Sequence, residues 1–203
     1  FSYNINLRRL IIMDGVQTID DHAFGFCVRL PAVIIPPSIR WTGMYVFSNC
    51  ENLTNVTIQD GVSQVYIGAF YKCSALPNIT IPSSITRIHN STFTYCDNLT
   101  LVELPNTILS IGGSAFAYTT ALPSITIPAS CSKIEDYAFR GSSITEVRFE
   151  GNVREICRGG FYNCYALPSI TLPSTLLYIA DYLMYNCSSL TYMYIPPSVQ
   201  RIG

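Results

Sequence analysis

The chain repeats one pattern of apolar and polar residues with a period of 23 residues over its whole length. The pattern is L-x-x-V/I-x-I/L-P-x-x-I-x-x-I-x-x-x-A-F-x-x-C, and a single step is shortened to 22 residues. A period of this size is typical of a solenoid, in which each repeat forms one coil stacked on the next. The repeats begin at nine aliphatic residues: Leu7, Leu30, Leu53, Leu76, Leu99, Leu122, Ile144, Leu167 and Leu190.

A repeat of this kind predicts one continuous core, so residues 1–203 are expected to form a single solenoid domain without an internal boundary. Phe1 and Asn4 match the Phe and Cys columns of a preceding repeat, and the last repeat stops halfway, at Gly203. Neither end has the polar sequence of a terminal cap. We therefore expect a fragment that is truncated within a repeat at both ends.

The coil that begins at Leu76 illustrates the expected path of the chain. Ile79 and Ile81 alternate with polar residues, which predicts a short strand with its apolar side chains facing inward. Pro82 ends this strand because proline has no N–H to donate. Ile85 and Ile88 are three residues apart, so the chain should turn back with a second short extended piece. We expect a β-rich solenoid of about nine coils with a parallel sheet on one face.

The A-F-x-x-C segment should close each coil with a tight turn, such as one turn of 3-10 or α-helix. Its phenylalanines are expected to stack into a buried spine. The residue after the leading aliphatic position alternates between proline and threonine, which suggests a duplicated unit of two coils. The alternating residues are Pro31, Thr54, Pro77, Thr100, Pro123, Thr145, Pro168 and Thr191.

Six of the eight cysteines occupy one column of the repeat, where Thr119 and Ser142 substitute for them. A column that accepts Cys, Thr or Ser favours a small buried residue with a hydrogen-bonding group. Disulfides between coils are the alternative. Cys131 replaces an inward Ile and should be buried, whereas Cys157 is expected to be the exposed thiol. The column consists of Cys27, Cys50, Cys73, Cys96, Cys164 and Cys187.

Composition argues against several classes of function. The net charge is −1 and charged residues make up 12% of the chain, so there is no electrostatic case for nucleic acid. No apolar run is long enough to be a membrane segment. There is no C-x-x-C pair, and His22 and His89 lie in different columns, so we expect no metal site and no cofactor. Two isolated histidines also give no convergent catalytic cluster, which predicts a protein that is not an enzyme.

The repeat, as in the segments from Leu76 to Ile88 and from Leu167 to Cys187, resembles the BspA-like leucine-rich repeats, also called the Treponema pallidum type. This resemblance covers essentially the whole chain. It implies a leucine-rich-repeat arc displayed on the surface of a bacterium or parasitic protist, which adheres to host matrix or cell-surface proteins. The family motif is structural, so the resemblance implies no catalytic residues.

The outward positions of the sheet face are the expected binding surface, and we single out five of them where the small, neutral pattern is broken. The two tyrosines are as well explained by packing against a further coil, and the charged pair by a surface ion pair. The middle of the face is as well explained by strand propensity and solubility. The five candidates are Glu103, Glu146, Arg148, Tyr192 and Tyr194.

Two functions follow from these expectations. The first is a non-catalytic adhesion or protein-binding module at the cell surface or outside the cell, in agreement with the N-x-S/T sequences at Asn52, Asn55, Asn78, Asn90, Asn98 and Asn186. The alternative is a cytoplasmic or cytoskeletal scaffold that contacts neighbouring subunits of an assembly. Buried free thiols would favour this second function, because they suit a reducing compartment.

Overall fold

The computed structural model describes residues 1–151 and 153–203 and shows a parallel β-solenoid of about eight turns. The described residues form sixteen strands of two to four residues. Each coil after the first contributes one strand to the sheet face. Each coil also contributes one strand to a second face, except the coil that begins at Leu53, where Gln64 forms only an isolated bridge with Trp41. Turn segments join successive coils. The predicted leucine-rich-repeat arc is confirmed.

The sheet face has eight strands, in which apolar side chains point inward at every second residue. In β2, Val33 and Ile35 are buried while Ala32 and Ile34 are exposed, as the period-2 pattern predicts. The first repeat contributes no strand here, so the expected nine coils become eight on this face. These strands are β2 (Ala32–Ile35), β4 (Asn55–Ile58), β5 (Asn78–Thr80), β7 (Leu101–Glu103), β9 (Ser124–Ile127), β11 (Glu146–Phe149), β13 (Ser169–Thr171) and β15 (Tyr192–Tyr194).

The proline–threonine alternation divides this face into hydrogen-bonded pairs of strands. The backbone N–H and Oγ1 of Thr54 donate to the carbonyl oxygen of Pro31, at 2.9 and 3.2 Å. Pro77, at the same position of the next coil, has no N–H with which to continue the ladder. The expected single parallel sheet is therefore four two-stranded ladders among the described residues: β2–β4, β5–β7, β9–β11 and β13–β15. We call the three boundaries between them seams.

The second face carries two-residue strands at the second inward Ile column. Ile88, Ile111, Ile134 and Ile156 are buried there in one four-stranded parallel ladder, β6–β8–β10–β12. In β3 the buried residue is Thr42, and Trp41 points outward. These strands are β1 (Thr18–Ile19), β3 (Trp41–Thr42), β6 (Arg87–Ile88), β8 (Ser110–Ile111), β10 (Lys133–Ile134), β12 (Glu155–Ile156), β14 (Tyr178–Ile179) and β16 (Arg201–Ile202).

The turn segment contains the most continuous hydrogen bonding between coils. In the second repeat, the N–H groups of Tyr45, Phe47 and Asn49 donate to carbonyl oxygens of the next coil at 2.8, 2.9 and 2.7 Å. Equivalent bonds link all the following coils. Tyr45 and Asn49 have φ of 54° and 57°, and the two corresponding positions are left-handed in the later coils too. A left-handed residue interrupts a right-handed helix, so the expected helical turn is wrong and hydrogen-bonded turns replace it.

The core of the solenoid is the predicted phenylalanine spine. Phe70 and Phe93 are fully buried, and their parallel rings are 5.8 Å apart between centroids. Such stacks continue from Phe1 to Phe161 at 5.3–5.9 Å, and Met184 occupies the next position in the column. The spine therefore packs successive coils against one another within the core.

The cysteine column packs beside the spine as buried free thiols. The Sγ atom of Cys73 donates to the carbonyl oxygen of Phe47, 3.2 Å away in the preceding coil. Burial raises the pKa of the Cys50 thiol to about 12. Cys131 is buried as predicted, and Cys157 is half-buried with its Sγ 3.2 Å from Oε1 of Glu155.

Candidate functional site

All five predicted site residues are exposed on the sheet face. Strand alternation places Tyr192 and Tyr194 outward on either side of Met193, with 59% and 45% of their surfaces exposed. Their neighbours across the β13–β15 ladder are Ser169 and Thr171. Two large rings therefore stand beside two small hydroxyl residues and offer both apolar area and a polar tip to a ligand.

Glu146 and Arg148 pair with each other on β11. The Nε and Nη2 atoms of Arg148 donate to the two carboxylate oxygens of Glu146 at 2.7 and 3.1 Å. These hydrogen bonds lower the pKa of the Glu146 carboxyl group below its usual value. A pair this exposed contributes little to the stability of the fold, so its charges remain available for exchange with a ligand.

Glu103 lies two coils away from that pair. Its Oε2 atom accepts a hydrogen bond of 2.8 Å from the hydroxyl group of Thr80, its partner in the β5–β7 ladder. The strand between Glu103 and Arg148 carries Thr126 at the equivalent outward position. The structure therefore brings Glu146 together with Arg148, and Tyr192 together with Tyr194. These two pairs and Glu103 lie on three separate strands and do not form one site.

A polar groove of about 450 Å³ lies on the same face at the first seam, between β4 and β5. Asn55, Thr57, Asn78 and Thr80 line it with amides and hydroxyls, and Asp60 stands at its end. The groove coincides with the place where Pro77 interrupts the ladder. Among the described residues, no group of three or more His, Cys, Asp or Glu side chains is placed to hold a metal ion.

A second surface, which the sequence analysis missed, runs along the turn segments. It is a series of tyrosines interspersed with three cations, and we call it the tyrosine row. Rings of successive coils contact one another: Tyr95 and Tyr118 stack at 4.7 Å, and Tyr162 and Tyr185 at 4.8 Å. The row consists of Tyr45, Tyr71, Lys72, Tyr95, Tyr118, Tyr137, Arg140, Arg158, Tyr162, Tyr182 and Tyr185.

Glycines beneath three of these rings give a sequence signal for the row. A Cβ atom on Gly141 would come within 2.7 Å of the Tyr118 ring, which lies over it from the preceding coil. Tyr137 covers Gly159 in the same way. A tyrosine followed one repeat later by a glycine in the same column therefore marks a ring that lies along the turn face.

The described residues contain no helix long and apolar enough to cross a membrane. Their continuous stacked coils define a leucine-rich-repeat solenoid. The family model "BspA type Leucine rich repeat region" matches residues 1–122 and 86–203. The chain belongs to the BspA-type leucine-rich repeat family, whose members are generally protein-binding and typically not catalytic.

One solved structure supports this assignment, and a second shows the same fold. The leucine-rich repeat protein of T. pallidum is 33% identical, with a TM-score of 0.71 over 77% of this chain and 74% of that protein. A leucine-rich repeat protein from Bacteroides ovatus is 24% identical, with a TM-score of 0.58 over 100% of this chain and 70% of that one, and it shows the fold alone. No curated protein sequence matches the chain.

Proposed function

We propose that the chain is an adhesion module of a surface-displayed leucine-rich-repeat protein, which binds a host matrix or cell-surface protein through its sheet face. The observation that carries this proposal is the outward pair Tyr192 and Tyr194, 59% and 45% exposed on a strand whose one inward residue, Met193, is partly buried against the core. Tyrosine is enriched among the residues that dominate protein interfaces.

The charged residues complement this aromatic pair. Glu146 and Arg148 keep opposite charges exposed on β11, and Glu103 adds a carboxylate on β7. Such exposed charges affect the rate and specificity of association more than its affinity. We therefore assign anchoring to the tyrosines and orientation of the partner to Glu103, Glu146 and Arg148.

Solid-phase binding to an immobilised extracellular-matrix extract tests this proposal. The Tyr192→Ala/Tyr194→Ala variant should bind at least tenfold more weakly than the parent. Tyr178→Ala, which removes a tyrosine 37% exposed on the second face, is the matched control and should bind normally. Equal binding by all three proteins would contradict a sheet-face site.

The alternative is a structural scaffold inside the cell, and the buried free thiols favour it. A column of reduced cysteines suits a reducing compartment. Antibody labelling of intact and permeabilised cells of the source organism separates the two functions. Labelling only after permeabilisation would support the scaffold and exclude surface adhesion.

A further inference from the structure

We propose that the tyrosine row is a second binding surface, which takes an acidic segment of a partner protein. This inference rests on the proposed protein-binding function and assigns it a surface and a partner chemistry that the sheet face lacks. The row lies on the turn segments, whereas the sheet-face candidates lie on the strands.

The cations of the row are held by rings. The guanidinium carbon of Arg140 is 5.6 Å from the ring centroids of both Tyr118 and Tyr137, and 5.2 Å from that of Tyr162. Arg158 lies 4.9 Å above the Tyr182 ring. Lys72 is 5.5 Å from the Tyr95 centroid. A ring face attracts a cation but accepts none of the directed hydrogen bonds that a carboxylate accepts.

None of these three cations forms a salt bridge within the described part of the chain, whereas Arg87, Lys133 and Arg148 each do. The Nε atom of Arg140 is buried and has no hydrogen-bond partner among the described residues. Buried polar groups in native proteins are rarely left in that state. Arg140 is thus already partly desolvated, which lowers the cost of pairing it with an incoming carboxylate, whereas Lys72 and Arg158 stay exposed.

Asp97 and Asp136 lie beside the row, and neither forms a salt bridge with its cations within the described residues. Burial raises the pKa of the Asp97 carboxyl group, and Lys72 partly opposes this effect. The Oδ1 atom of Asp136 is occupied by the backbone N–H of Arg158, at 3.1 Å.

The surface is also rigid before any partner arrives. Its backbone belongs to the continuous column of hydrogen bonds between turn segments, and the glycines below Tyr118 and Tyr137 fit those rings closely. A surface fixed in advance loses little conformational entropy on binding. Tyr and Arg among Ser, Asn and Gly is also the composition by which antibody loops bind protein.

A Glu–Tyr copolymer is the probe for the acidic partner, measured by fluorescence anisotropy at low and at physiological salt. We expect Arg158→Ala and Tyr182→Ala each to raise its Kd about tenfold. Affinity should fall as salt rises, because the pairing is between exposed charges. Circular dichroism confirms that each variant is folded.

The second face offers a matched control pair. Arg201 lies 5.5 Å above the Tyr178 ring, which reproduces the Arg158–Tyr182 contact outside the row. Arg201→Ala and Tyr178→Ala should bind the copolymer like the parent, and an equal loss in them would overturn the proposal. Absence of copolymer binding by the parent would also overturn the proposal. Tighter binding to heparin than to the copolymer would overturn it too, because it would assign the row to acidic polysaccharide. The Tyr192→Ala/Tyr194→Ala variant tests the sheet face by matrix binding, so failure of that proposal can be distinguished from failure of this one.

Discussion

Truncating Phe93 in the middle of the phenylalanine spine should destabilise the whole solenoid. Its ring is fully buried and stacks on Phe70 at 5.8 Å and on Phe116 at 5.4 Å. A buried Phe→Ala change costs about 3–5 kcal/mol, and each lost stacking contact adds about 0.5–1.5 kcal/mol of its own. Since these contributions are not additive, we expect Phe93→Ala to lower the free energy of unfolding by about 4–5 kcal/mol.

Urea unfolding followed by far-UV circular dichroism and by the fluorescence of Trp41 measures this loss. Phe93→Leu keeps most of the volume and should cost about half as much or less. Leu101→Ala, at a site 52% exposed on the sheet face, should stay within about 0.5 kcal/mol of the parent. A loss below about 1.5 kcal/mol for Phe93→Ala, with an unchanged urea dependence, would refute the view that the spine joins the coils.

The remaining predictions concern backbone strain, buried thiols and one ion pair. Gly159→Ala should lower the free energy of unfolding by about 2 kcal/mol or more, because φ is +59° and the new Cβ meets the Tyr137 ring. In the same urea unfolding experiment, the control Gly15→Ala, with φ of +101° and open space around it, should lose less. Burial raises the pKa of the Cys50 and Cys164 thiols to about 12. Because the fold favours the neutral thiols, this contribution to stability should be fully present below pH 9 and be lost as the pH rises from about 9 towards 12. A free energy of unfolding that stays constant over this alkaline range would contradict the prediction. Replacing both Glu146 and Arg148 by Gln should leave the calorimetric unfolding temperature nearly unchanged, and a clear drop would show a stronger ion pair.

The period predicted which side chains point inward, because equivalent positions of stacked coils share one environment. Ile79, Phe93 and Cys73 are buried as expected on this basis. The period did not predict the left-handed turns, because the sign of φ at Tyr45 and Asn49 follows from hydrogen bonds with the next coil. The available signal was the occurrence of glycine and asparagine in the same two columns, at Gly68, Gly141, Gly159, Asn163 and Asn186.

The exposure of the candidate site was predictable, and its division into separate groups was not. Alternation along a strand places Glu103, Arg148 and Tyr194 outward, but only the order of the strands shows how far apart they lie. The tyrosine row escaped detection because its rings come from three columns of the repeat. Relative to the phenylalanine of its own coil, Tyr137 lies two residues before it, Tyr162 one residue after it and Tyr95 two residues after it. These columns converge only when the turn is folded.

The proline–threonine alternation connects the backbone to the chemistry of the sheet face. From β5 onward, the first strand of each hydrogen-bonded pair carries only amide and hydroxyl groups outward, as in β9 and β13. The charged and aromatic candidates all lie on the second strands, β7, β11 and β15. Because adjacent strands are about 4.8 Å apart, a ligand along this face would meet distinctive side chains about every 10 Å, each set bordered by small hydroxyls. The pair of coils, rather than the single repeat, is therefore the unit in which this solenoid varies its outward surface.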